Sequence, residues 1–204
     1  FYDGQIFKLQ RGFKLLFEPP RKHIPIYVAS ISPKSMQSLA TAADGWMPIY
    51  WPKSKFMDGK EMIGEASKAA GRAEDSVECV ASLTVVINPD EQKAKMQAAG
   101  PISWYVPNMG DFYHEMLTRN GFGEEVVSIQ KVAETHKPLP SSTNPELIDP
   151  MCERMLEETA IWGDLETVAA GIEERRQLGV DLPSISMPQG PLDHVERVLG
   201  TLVS

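Results

Sequence analysis

IPIYVASISPKSMQSLATAADGWM, residues 24–47, runs from a strand through a helix start into the opening of a second strand. Ile24, Ile26 and Val28 alternate with Pro25, Tyr27 and Ala29 in a run without charge. That is the pattern of a strand covered on both faces by helices. Ser32 offers a helix cap, and Pro33 suits the first helical position, where no N–H is needed. Met36, Leu39, Ala40 and Ala43 then share one helical face. Asp44-Gly45-Trp46 opens the next strand. A strand ending at exposed backbone amides beside a capped helix N-terminus suits an anion, phosphate above all. Many strand–loop–helix steps bind nothing, and this loop has no glycine pair, so pattern alone leaves both readings open.

Upstream, Phe1 to Leu16 reads as a hairpin-like lead-in with Asp3-Gly4 as its turn, followed by an extended connector around Pro19-Pro20. Downstream, Trp46 to Tyr50 reads as a strand, and Ser54 as the cap of a helix carrying Phe56, Ile63, Ala66 and Ala70. Val80 to Ile87 is dense enough in apolar residues for a buried parallel strand. Asn88-Pro89-Asp90-Glu91 starts a long helical stretch, predicted to break near Gly100-Pro101, Asn108, Gly121 and the loop His136 to Asn144. No strand is predicted from there to about Trp162. Asp164 caps an amphipathic helix stopped by Gly179, Leu182 to Met187 is a last short strand, and Pro191 to Val203 a closing helix.

This order predicts an α/β fold with about four parallel strands. Four such units make half of an eight-stranded (β/α)8 TIM barrel, here with a helical insertion before the last strand. A whole barrel takes about 250 residues, and half of one leaves two apolar strand edges open. Either a partner covers them or the rest of the barrel is missing; the second is favoured, so residues 1–204 are expected to be a single unit from a longer barrel. Phe1-Tyr2-Asp3-Gly4 reading as the middle of a β-ribbon supports that expectation.

A formal charge of −8 and the lack of a Lys/Arg stripe argue against a nucleic-acid surface. Arg21-Lys22 and Arg175-Arg176 are isolated pairs that read as solvated faces. No apolar run approaches the length of a membrane span. Cys79 and Cys152 are too few for a disulfide framework and read as reduced thiols of a cytoplasmic protein.

The chain resembles the C-terminal part of the luciferase-like oxidoreductases, the (β/α)8 enzymes that use flavin or deazaflavin. The resemblance runs through YDGQIF, IPIYVAS with SPKSMQSLA, AADGWMP, AAGR, FYHEMLTRNGFGEEV, WGDLETV and LGVDLPSISMP, in that order and spacing. IPIYVAS followed by SPK is similar to the deazaflavin subgroup, alongside the methylene-tetrahydromethanopterin reductases. The resemblance implies hydride transfer between coenzyme F420 and a small organic substrate, and oligomers, dimers or larger, in the complete enzyme. It also implies that backbone amides of Ala29, Ser30, Ile31 and Ser32 hold the cofactor's phosphate. Ile31 and Ser32 stand where the subgroup has glycines, although the Ser32 hydroxyl can cap the helix or donate to a phosphate. Ile49 to Lys53 is expected at the barrel mouth, with Lys53 a candidate partner for an anion. Pro188-Gln189-Gly190 occupies the other loop position that commonly serves a barrel phosphate, although a plain turn into the final helix is the favoured reading. An FMN-dependent monooxygenase is the alternative from the same family. A non-catalytic half barrel serving as an interaction module is the alternative from another class.

Other candidates fall away. His114-Glu115 has no second histidine one turn on, so it is no zinc motif, and no metal is expected. Glu157-Glu158 and Glu173-Glu174 are adjacent acids that cannot converge on one substrate. Gly-x-Ser-x-Gly is absent. Trp104, Tyr105, Phe112 and Tyr113 suit packing or a subunit interface. By the resemblance, the side chains near the reacting ring come from earlier strands, so no catalytic residue is assigned.

Overall fold

The computed structural model describes residues 2–12, 16–135, 152–186 and 191–203. Strands β1 (Tyr2–Asp3) and β2 (Lys8–Leu9) pair antiparallel, closed by the Gly4 N–H on the Phe7 carbonyl at 3.0 Å, as the Asp3-Gly4 turn predicts. The remaining strands pair only in parallel. β3 (Tyr27–Val28), β4 (Gly45–Trp46) and β5 (Glu78–Ile87) lie side by side in sequence order. β6 (Ala160–Gly163) pairs with Thr84–Ile87 of β5, and β7 (Leu182–Ile185) with Val80–Leu83.

The period of two along β5 separates two packing environments. Cys79, Ala81, Leu83, Val85 and Ile87 meet the helices α1 (Pro33–Leu39), α2 (Phe56–Ala69), α7 (Leu165–Gln177) and α8 (Leu192–Val203). Val86 instead joins the core built by the insert, which comprises α3 (Glu91–Asn108), α4 (Asp111–Arg119), α5 (Gly123–Thr135) and α6 (Cys152–Thr159). Trp46, fully buried, is the largest side chain beneath α1 and α2 and stacks at 5.2 Å on Phe56.

Several sequence expectations change. Ile24 to Ser30 is not covered on both faces: Val28 packs toward α1, while Ile24 and Ile26 are 75% and 57% exposed. The physical reason is position, since β3 has a strand partner on one side only among the described residues. The helical insertion lies before β6 rather than directly before the last strand. Four residues, AIWG, form a strand because the far half of β5 offers a free edge. Helix α3 runs through Gly100-Pro101 without a break. Pro101 forfeits one intrahelical bond, but Ala98, Ala99, Gly100 and Ile102 are buried around it and the packing holds the helix. Ser54 does not cap α2: a 3₁₀ turn, Lys53–Lys55, precedes that helix, and the Ser54 N–H goes to Glu158 at 2.8 Å.

Arg175 also departs from its predicted solvated face. It is buried and donates to the carbonyls of Glu157 at 3.0 Å and Ala160 at 3.3 Å and to the Glu174 carboxylate at 2.9 Å. One guanidinium thus satisfies carbonyls left over where α6 ends and β6 begins.

Three aspartates tie element ends. Asp164 and Asp90 cap α7 and α3 through the N–H groups of Thr167 and Lys93. Asp44 accepts the Ile26 N–H at 2.7 Å and pairs with His23 at 2.9 Å. Those backbone bonds, above all, hold the three carboxyls below the usual range. A carboxyl lowered by folding stabilises the native state while ionised, and that contribution disappears as pH falls through the folded value. Urea midpoints should therefore hold down to about pH 5 and fall below about pH 4. Asp44→Asn should flatten part of that slope, and a midpoint rising on acidification would contradict the account.

Candidate cofactor-binding site

Because all pairings of the main sheet are parallel, its strand-to-helix loops gather at one end. Two described loops there carry the residues of interest, Ala29–Ser32 after β3 and Met47–Pro52 after β4. The insert packs across the same end. Ile31, Ile49, Tyr50 and Trp51 share a core with Tyr105 of α3 and with Tyr113 and Leu117 of α4.

In the first loop the carbonyls and the amides have different fates. The Ser30 carbonyl accepts the Trp46 indole N–H at 2.7 Å. The Ile31 carbonyl accepts Arg119 Nη2 at 2.8 Å. The Ser32 carbonyl accepts the Met36 N–H at 2.9 Å and the Ser35 hydroxyl at 3.0 Å. The amides of Ala29, Ser30, Ile31 and Ser32 donate to no acceptor among the described residues. Ala29 is exposed, Ile31 and Ser32 are half-buried, and Ser30 is buried. Unengaged donors beside three carbonyls that already accept hydrogen bonds make a surface suited to a ligand that only accepts, such as a phosphate.

The Ser32 hydroxyl does the capping work. It accepts the Ser35 N–H at 3.3 Å and shares a 2.8 Å hydrogen bond with the Ser35 hydroxyl. Ser30 joins the same hydroxyl cluster through Ser35. The loop's capacity for an anion therefore lies in its backbone.

In the second loop Tyr50 adopts φ 55°, a left-handed conformation that costs a non-glycine residue on the order of 1 kcal/mol. The turn sends its ring into the insert core, 5.2 Å from Tyr105 and 6.1 Å from Tyr113. Burial pushes the Tyr50 phenol well above its ordinary range, with Tyr105 and Tyr113 adding to the effect and a hydrogen bond with Thr84 opposing it. Tyr50 and the two insert tyrosines thus form an aromatic wall at the strand ends. Sequence reasoning placed Tyr105 and Tyr113 in packing or a subunit interface, and the left-handed turn that brings Tyr50 to them left no local signal.

Lys53 does not face a free anion site. Its ammonium pairs with Glu174 at 2.7 Å, and this contact first, with Arg175 adding, holds the Glu174 carboxyl low. Pro188-Gln189-Gly190 and the loop from His136 lie outside the described residues. His114 bonds to Asp111 and Gln130, and the described residues contain no cluster of metal-ligating side chains. Cys79 is buried, which pushes its thiol up to about 12, so it has no nucleophilic role.

Residues 1–182 match the luciferase-like monooxygenase family. The chain belongs to that family. Among relatives of the luciferase-like chain, the 5,10-methylenetetrahydromethanopterin reductase of Archaeoglobus fulgidus is 27% identical over 190 residues, 93% of this chain and 55% of that one. The coenzyme F420 dependent tetrahydromethanopterin reductase of Methanopyrus kandleri superposes with a TM-score of 0.65 at 24% identity, over 87% of this chain and 49% of that one. An F420-dependent secondary alcohol dehydrogenase, solved with an F420-acetone adduct, superposes with a TM-score of 0.62 at 14% identity, over 98% and 55%. The two superpositions show the fold, α/β of the (β/α)8 TIM-barrel class as predicted. This luciferase-like chain spans about half the length of the relatives it matches. No helix among the described residues is long and apolar enough to cross a membrane.

Proposed function

We propose that this chain is the cofactor-phosphate half of an F420-dependent oxidoreductase acting on a small organic substrate. The observation that carries the reading is the loop Ala29–Ser32, where the Ser30, Ile31 and Ser32 carbonyls are taken by Trp46, Arg119, Met36 and Ser35 while the loop's amides are left as donors. The F420-dependent relatives support the choice of cofactor. Ala29, Ser30, Ile31 and Ser32 would hold the phosphate. Tyr50, Tyr105 and Tyr113 would exclude water from the strand ends. Bound F420 would supply the acceptor or donor of a hydride, and the chain's part is to bind and orient it. In this reading residues 1–204 act as one unit of a cytoplasmic protein that is a homo-oligomer when whole.

The second reading is an FMN-dependent monooxygenase, which the family's name favours and which needs the same phosphate seat. Purified protein titrated with each cofactor separates the two. The expected outcome is saturable binding of F420, followed by its absorption near roughly 420 nm, and no retention of FMN. Co-purification of FMN with no F420 binding overturns the F420 assignment.

A further inference from the structure

We propose that Trp46 and Arg119 are positioning residues that aim two amides of the phosphate seat by holding the carbonyls next to them. The inference rests on the phosphate reading of the loop. In a trans peptide the C=O and the following N–H point in opposite directions, so holding one sets the other. No described peptide bond is cis. Trp46 reaches the Ser30 carbonyl from the buried layer beneath α1, so the Ile31 N–H points away from that layer. Arg119 reaches the Ile31 carbonyl from the end of α4, so the Ser32 N–H points away from the insert.

These props answer what the missing glycines leave open. A glycine loop reaches an anion by adopting conformations closed to other residues. Neither Ile31 nor Ser32 has a positive φ, and Ser32 sits in the extended region at φ −105°. Their orientation is therefore imposed from outside the loop, by donors 16 and 88 residues away in sequence. Without them either peptide could turn a carbonyl toward the anion, and an anion is repelled by that oxygen.

Two ligand pairs test this: F420 against its phosphate-free deazariboflavin core, and FMN against riboflavin. Arg119 is exposed, so Arg119→Ala should fold normally. The variant should bind the phosphate-bearing member about tenfold more weakly, the scale of one charge-assisted hydrogen bond. Binding of the phosphate-free member should not change. Arg119→Lys should recover most of the loss, because an ammonium can still donate to the Ile31 carbonyl. The Ser32 amide resonance should shift on adding the phosphate-bearing ligand, and that shift should shrink in Arg119→Ala. Trp46→Phe should do the same to the Ile31 resonance. Equal losses for both members of a pair, or a phosphate preference that Arg119→Ala keeps in full, overturn the positioning role and leave the phosphate seat standing. If the unmodified protein shows no preference for either phosphate-bearing ligand, the phosphate reading itself fails, and this inference with it.

Discussion

Trp46→Ala lowers the unfolding free energy by about 3–5 kcal/mol, the range for deleting a large buried aromatic side chain. Trp46 is fully buried, stacks on Phe56, meets Trp51 edge-on at 5.3 Å and approaches the face of α2 that Gly59 leaves open. Phe56 and Gly59 lie on α2, Trp51 on the loop after β4, and Met36 of α1 shares the same core, so shifting one helix does not close the void. The loss is comparable to the whole stability of a marginal domain. Urea titration measures it, and a loss under about 1 kcal/mol would show that the layer beneath α1 and α2 repacks freely. Trp46→Phe separates the ring from its donor. The ring contacts largely survive, and the remaining cost, about 1–3 kcal/mol, is that of leaving the Ser30 carbonyl without a partner.

The second large effect is expected at Arg175. Arg175→Met keeps an apolar stem of similar length but abandons the carbonyls of Glu157 and Ala160 and the Glu174 carboxylate. Two acceptors lose their donor in a place with little water, and Glu174 keeps only Lys53. The expected loss is about 3 kcal/mol. Arg175→Lys should recover little, because one ammonium cannot reproduce a planar fork reaching three acceptors. Amide exchange should localise the damage to the junction of α6 and β6. If the lost stability spreads evenly over the molecule, the clamp is not where the structure puts it.

Arg175 also shows why part of the fold escaped sequence reading. In sequence it is one of two arginines in the last turn of a helix, a place where cations usually face solvent and the helix dipole. Its burial depends on carbonyls 15 and 18 positions away that are exposed only because a helix ends there and a strand begins. Strand β6 escaped for a related reason. AIWG has neither the length nor the alternation of a strand, and it is one because β5 extends past β7 and leaves an edge. The misplaced break at Gly100-Pro101 has the opposite cause, a strong local signal overruled by burial on the insert core.

The candidate site divides along the same line. The Ser32 cap and Pro33 at the helix start were legible, because a cap acts over three residues; of the strand leading into them only Tyr27–Val28 pairs, so its alternation misjudged the burial of Ile24 and Ile26. The orientation of the Ile31 and Ser32 amides was not legible, nor was the wall made by Tyr50, Tyr105 and Tyr113.

Local interactions settle where most helices begin, as at the Ser32, Asp90 and Asp164 caps, and the alternation of helices with strands settles the fold class; the order of residues carries that much alone. Which carbonyls are held, which arginine is buried and which amides stay available depend on contacts closed over tens of residues. Such contacts exist only after the chain has collapsed, when burial makes an unpaired polar group costly and so selects its partner.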